Sequence, residues 1–371
     1  MTILKGMIFT KECVFHPGII IIEEDKIIEV RLCTLAELTA KQQEQYLLPG
    51  LVDIHFHGAA GYDFCDGTME AYRAIEAYEK HHGVTCICPA TMTLPMIELE
   101  TIMKTAAEAD MQSLRGIHLE GPFISKEKKG AQNEEHIISA DAQMLRKLQE
   151  KANGLIKLVT IAPETDGAME CIRELRDEFR FSIGHTMADY ETSCKAFASG
   201  ADHVTHLYNA MPVSTHREPS VLGAAADHDE VLVELICDGI HVHPSVVRNT
   251  FRIFGDDRII LISDSMCATG MNDGNYTLGG QDVTVKGALA TLADGTIAGS
   301  VTNLFDCMKK AVDIGIPKEN AIKAATINPA RSIGIDNIVG SLEAGKRADI
   351  VFTDKDLNRE IVMIGGRMII E

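Results

Sequence analysis

The residues of this chain that could do chemistry together are imidazoles and carboxylates at the ends of short apolar runs. His55-Phe56-His57 follows one such run, and His118-Leu119-Glu120 closes another. Gly184-His185-Thr186, Thr205-His206 and Ser263-Asp264-Ser265 close three more. A single histidine in such a place is ordinarily structural, but five ends of this kind point to a shared site. The donors are ring nitrogens and carboxylate oxygens with no obligatory thiolate, which suits Zn, Fe, Mn or Co. His55 and His57 stand at i and i+2, so in extended chain both rings face one side and can grip one ion. Glu120 can bridge two ions; the alternative is one ion held by Glu120, His185 and His206, with open positions for water and substrate. Such an ion lowers the pKa of a bound water towards neutrality and polarises a carbonyl. A proton carrier is then needed, and Asp264 is the candidate. Its alternative role is that of a carboxylate orienting a histidine ligand.

Elements that could gather these groups are visible in the hydrophobic pattern. Apolar β runs at 51–56, 84–88, 115–120, 157–162, 181–185, 203–207, 232–237 and 259–264 alternate with helical patterns, the signature of parallel βα units. One helix is expected from Thr68 to His82, with Met69, Tyr72, Ile75 and Tyr78 on one face, Thr68 as N-cap and Gly83 past the end. Another is expected from Asp189 to Ser199, stopped by Gly200. Eight such strands close a (β/α)8 barrel, which presents chemistry at the carboxyl ends of its strands. Five of the eight expected strands end in an imidazole or carboxylate.

The chain ends read differently. Ile19–Ile22 and Ile27–Val30 around a polar turn, and Ala348–Phe352 and Ile361–Ile364 near the other end, are β segments. The expected organisation is a small β-sandwich domain from residues 1–48 and 340–371, around a catalytic α/β barrel at 49–339. A Gly- and Asp-rich β-hairpin insertion is expected near 272–299, with helices at 302–314 and 318–328.

With 371 residues, 46% of them hydrophobic, the chain can fill a large core plus a smaller one. A formal charge of −19 argues against nucleic acid or an anionic membrane as partner. A small anionic substrate in a locally positive pocket remains compatible with it. Ten scattered cysteines read as reduced thiols of a cytoplasmic protein, and Cys86 and Cys88 read as core. Met1 to Gly6 carries no basic segment leading into an apolar run, so no signal peptide is expected. The longest apolar stretch falls far short of the roughly 20 residues that span a bilayer.

At these residues the sequence resembles the N-acetylglucosamine-6-phosphate deacetylases of the amidohydrolase superfamily, over nearly the whole chain. Leu48-Pro49-Gly50-Leu51-Val52-Asp53-Ile54-His55-Phe56-His57-Gly58 and Gly340 to Asp349 are similar to superfamily-wide segments. His118 to Phe123, Lys129 to Gln132, His206 to Pro212, Arg217-Glu218-Pro219 and Asp238 to His241 narrow the resemblance to the deacetylases. It implies a hydrolase that removes acetate from an N-acetylhexosamine 6-phosphate, with zinc as the expected ion and Fe, Mn or Co as alternatives. It implies Glu120, His185 and His206 as principal ligands, and His55 and His57 as the mark of the two-metal branch. Asp264 matches the general acid/base. Asn209, the backbone N–H of Ala210, Arg217 and His241 match phosphate contacts, and Gln132 stands where many members carry His. A homodimer is implied, with Arg217 or His241 shared across the interface. An N-acetylgalactosamine 6-phosphate substrate, or a cyclic-amidase or deaminase activity, is the alternative.

Overall fold

The computed structural model describes residues 1–369; positions 370 and 371, the end of the expected terminal domain, lie outside the described residues. The expected barrel forms. Its eight parallel strands are Leu51–Asp53, Val84–Ile87, Ile117–Glu120, Ile156–Ile161, Arg180–Ile183, His203–Val204, Leu232–Ile236 and Ile259–Ile262. The third to eighth pair in sequence order, and the first pairs with the second. Bridges Ile87↔Leu114 and Ala90↔His118 join the second to the third. The ring closes just beyond the strand ends, where Asp264 N–H donates to the His55 carbonyl at 2.9 Å and His57 N–H to the Ser265 carbonyl at 2.7 Å. This closing seam therefore runs through the candidate site itself.

Helices cover the outside of the barrel for the reasons the sequence suggests. Met69–His81 starts where Thr68 Oγ1 accepts from Ala71 N–H at 3.2 Å, and it buries Ala71, Tyr72 and Ile75. Tyr190–Ser199 starts at Asp189, whose carboxylate accepts from Thr192 N–H at 2.8 Å, and stops at Gly200. Each such cap satisfies an amide that the helix leaves unpaired, typically worth about 1 kcal/mol. Inside the barrel, Val52, Ile54, Cys86, Cys88, Leu158, Ile260 and Ile262 pack with Ala330 of the helix Ile327–Ser332. Cys86 and Cys88 thus face one side, into the core, as period-2 alternation requires.

Both termini join one seven-stranded sheet. Its order is Arg367–Ile369, Arg359–Ile364, Ile350–Thr353, Tyr46–Pro49, Thr2–Phe9, Phe15–Glu23, Lys26–Leu32. It encloses a separate core that includes Ile8, Ile20, Leu47, Ile350 and Phe352. The insertion has one strand more than a hairpin: Gly274–Leu278, Gln281–Lys286 and Leu289–Thr291 make an antiparallel meander. It packs Leu278, Val283 and Val285 against Met92 and Met266 beside the mouth of the barrel.

Several strands stop short of their apolar runs, and the reason is in the backbone. His185, His206 and Asp264 have φ of 47°, 27° and 49°, the left-handed region that side chains with a Cβ rarely adopt. A left-handed residue turns the chain out of the sheet and swings its side chain over the barrel mouth. Such conformations cost on the order of 1–3 kcal/mol each and persist only where neighbours enforce them. Here Ser125 N–H holds the His185 carbonyl at 2.8 Å, Asn209 N–H the His206 carbonyl at 3.0 Å, and Ser300 N–H the Asp264 carbonyl at 2.7 Å. Gly184 is required for a different reason: a Cβ there would lie 2.5 Å from Thr205 Cβ.

Candidate metal centre and active site

Glu120 ends the third strand, 2% exposed, and every other candidate ligand is arranged around its carboxylate. Its Oε1 lies 3.2 Å from His55 Nε2, 3.2 Å from His185 Nε2 and 3.1 Å from His206 Nε2. Its Oε2 lies 3.3 Å from His57 Nε2 and accepts from Gln132 Nε2 at 2.8 Å. Of three groups with metal-ligand spacing among the described residues, two, His55–His57–Glu120 and Glu120–His185–His206, share Glu120; the third is His55–His118–Glu234. Asp264 Oδ1 stands 3.3 Å from His57 Nε2 and 3.8 Å from His55 Nε2.

The proton pattern shows that these residues fit a cation. His185 Nδ1 lies 2.9 Å from the Lys128 carbonyl, and His55 Nδ1 lies 2.8 Å from Glu234 Oε2. Both partners only accept, so both Nδ1 atoms carry the proton. In the neutral rings the two Nε2 atoms then present lone pairs, and both aim at the same carboxylate oxygen. His206 Nε2 adds a third nitrogen, 3.1 Å from His185 Nε2. A divalent ion among these atoms replaces lone-pair repulsion by coordination.

Electrostatics point the same way. Protons on the rings are the alternative to an ion: burial by itself would raise the Glu120 carboxyl, but in that protonated state the charge of His55 and hydrogen bonds from His185 and His206 hold it well below the usual range. Asp264 follows the same logic. Burial raises it, yet the bond from His57 and the charges of His55, His57 and His206 bring it below its ordinary value. It is thus an ionised base at neutral pH.

His57, Glu120, Gln132, His185, His206, Asn209, Ala210, His241 and Asp264 line one cleft of about 350 Å³, with His55 fully buried beneath it. A larger groove of about 770 Å³ lies alongside, lined by Ile124, Glu164 and Met187, and contains none of the candidate residues. Gln132 reaches the cleft with its amide already engaged: Oε1 accepts from Thr93 N–H at 2.6 Å while Nε2 bonds Glu120. Asn209 Nδ2 donates to the His206 carbonyl at 3.2 Å. Arg217 is not brought to this cleft; it is exposed and lines a separate depression with Met187, Tyr190 and Pro219.

One residue escaped the sequence reading, and another entered it only as part of a matching segment, with no role given. Glu234 contacts His55 from inside the barrel; its signal was a lone acid within the apolar strand Leu232–Ile236. Asp238 accepts from His241 Nδ1 at 2.7 Å, and its signal was i, i+3 spacing in Asp238-Gly239-Ile240-His241.

The profile of the Amidohydrolase family matches residues 46–369. The chain belongs to the amidohydrolase family. Among its amidohydrolase relatives, the N-acetylglucosamine-6-phosphate deacetylase of Bacillus subtilis (strain 168) is 39% identical, covering 97% of this chain and 95% of that one. The N-acetylgalactosamine-6-phosphate deacetylase of Escherichia coli O157:H7 is 33% identical over 88% of this chain and 89% of its own. Among solved structures, a mutant N-acetyl-D-glucosamine-6-phosphate deacetylase from Mycobacterium smegmatis, in complex with N-acetyl-D-glucosamine-6-phosphate, superposes with a TM-score of 0.93. It is 33% identical and covers 99% of this chain and 98% of that one.

Proposed function

We propose that this amidohydrolase cleaves the acetamide of N-acetyl-D-glucosamine 6-phosphate, giving acetate and glucosamine 6-phosphate in amino-sugar catabolism. The observation that carries this reading is one cleft in which Asp264 stands beside the Glu120 cluster, with Asn209, Ala210 and His241 within reach of the rest of a sugar phosphate. Glu120, His185 and His206 would hold one divalent ion, and Glu120, His55 and His57 a second. When bound, such an ion polarises the acetyl carbonyl and acidifies a water. Asp264 takes the proton of the attacking water at Oδ1. It returns that proton to the amine nitrogen as the carbon–nitrogen bond breaks. His241 and the amides of the Asn209–Ala210 turn hold the phosphate.

The finer assignments extend this reading. Zinc suits the imidazole and carboxylate donors, as do Fe, Mn or Co. Ten unpaired cysteines support a reducing cytoplasm. The exposed position of Arg217, outside its own cleft, supports a homodimer in which it serves the neighbouring copy's phosphate. The galactosamine epimer is the second reading, favoured by the Escherichia coli relative.

Acetate release from N-acetylglucosamine and N-acetylgalactosamine, each with and without the 6-phosphate, tests the proposal. The glucosamine 6-phosphate substrate should be preferred, and indifference to the phosphate would overturn the roles of His241 and Arg217. A pH effect should accompany it. Burial lowers His241, but the hydrogen bond and charge of Asp238, with the charge of Asp264, outweigh it and raise the imidazole above its ordinary value. The cationic form that binds phosphate therefore persists to higher pH, and KM should climb only as pH passes that raised value. In Asp238→Asn the climb should begin at lower pH with kcat little changed. Superimposable KM profiles for the two proteins would refute the role of Asp238.

A further inference from the structure

Barrel lumens are ordinarily packed with apolar branched side chains. Here a carboxylate, Glu234 of the seventh strand, stands fully buried below the ligand cluster. Its Oε2 accepts two hydrogen bonds, from His55 Nδ1 at 2.8 Å and from the backbone N–H of His206 at 3.1 Å. Its Oε1 has no hydrogen-bond partner among the described residues. That oxygen is 3.7 Å from His203 Nδ1 and 4.0 Å from His118 Nδ1, but both nitrogens face other partners. Ser182 Oγ is 3.1 Å from the first, and the Ile54 carbonyl 3.3 Å from the second.

A half-satisfied buried carboxylate is costly, because the unmet oxygen has given up water for nothing. The two bonds at the other oxygen say what this carboxylate does. Because Glu234 only accepts, the proton it shares with His55 sits on Nδ1, and Nε2 is left to present its lone pair beside Glu120. The same Oε2 pins the amide of His206, a residue held at φ 27°. One atom thus sets the ring of a ligand from one triad and the backbone of a ligand from the other.

We infer that Glu234 is a positioning residue: it fixes the tautomer and orientation of His55, and through them governs occupancy of the ion position made by His55, His57 and Glu120. The inference rests on the two-ion reading given under the proposed function. His118 does not compete for the role of ligand, since its Nε2 is bound to Thr160 Oγ1 at 2.7 Å.

The test compares metal-free wild type with Glu234→Leu and Glu234→Gln, titrated with Zn2+ by calorimetry and counted for bound zinc after dialysis. Circular dichroism confirms that each is folded. Losing a partner of this kind typically costs about 10- to 100-fold in metal affinity. Glu234→Leu should therefore hold close to one zinc where the wild type holds two. Glu234→Gln, whose amide oxygen can accept the same two bonds, should bind within a few-fold of wild type. That rescue separates positioning from general loss of packing. Wild-type stoichiometry and affinity in Glu234→Leu would overturn the inference and leave the deacetylase reading standing. A Glu234→Gln as weak as Glu234→Leu would also overturn it, by showing that charge rather than acceptor geometry matters. A wild type that binds no divalent ion would instead overturn the metal-dependent reading itself. One measurement needs no folded variant of Glu234: in zinc-loaded wild type with 15N-labelled histidine, His55 should show a protonated Nδ1. A bare Nδ1 overturns the proposal.

Discussion

Replacing Asp264 by Asn should lower turnover by about 100- to 10,000-fold while the chain keeps its divalent ions. Asparagine has the same shape and cannot take a proton at neutral pH. The backbone bonds that hold this left-handed residue, Asp264 N–H to the His55 carbonyl and Ser300 N–H to the Asp264 carbonyl, do not involve the side chain. The Glu120 cluster is also left intact, because its contacts with His55, His57, His185 and His206 are independent of Asp264. Metal content by elemental analysis and kcat from acetate release separate the outcomes. Full turnover in the variant would sink the assignment of Asp264 as proton carrier. Parallel loss of metal would reassign it to holding the ions.

What the sequence made legible follows from what hydrophobic patterning encodes. Burial with a period of two for strands and near 3.6 for helices is written in residue type, so eight strands, their order and the caps at Thr68 and Asp189 could be read directly. The grouping of His55, His57, Glu120, His185, His206 and Asp264 followed from a topological rule about strand ends. The exact point where each strand ends did not. His185, His206 and Asp264 continue apolar runs and read as strand, yet they turn left-handed under backbone bonds from Ser125, Asn209 and Ser300, contacts 60, 3 and 36 residues away in numbering. A faint signal existed, since His and Asp are enriched in that conformation. Glu234 escaped because attention to strand ends passes over an acid in mid-strand, although an acid inside a parallel barrel strand must find a partner. Arg217 shows the opposite limit. Its place outside the cleft depends on how the loop from Met211 to Pro219 folds, which no periodicity specifies.

The second large effect is expected at Glu120. In Glu120→Gln the chain should retain less than one divalent ion and lose acetate release to the background rate. One carboxylate here faces four imidazole Nε2 atoms, three across Oε1 and one across Oε2. An amide offers one oxygen and one NH2, so whichever way it turns, one face of the cluster meets donors in place of an anion. If the NH2 faces Oε1's three nitrogens, the ion position of His185 and His206 is blocked. If it faces Oε2's side, it meets His57 and the donating Nε2 of Gln132. Either orientation also removes the negative charge that the two proposed ion positions would share. The loss in affinity should therefore exceed the roughly 100-fold that removal of an outer partner costs. Stability reports on this without any assay of activity. Zinc at 100 times its dissociation constant should stabilise the wild type by about 2.7 kcal/mol for each position filled, a clear upward shift in thermal midpoint, whereas Glu120→Gln should melt at the same temperature with and without zinc. An equal zinc-dependent shift in the two proteins would mean that Glu120 is not the shared ligand, and the two triads would have to be redrawn around the histidines alone.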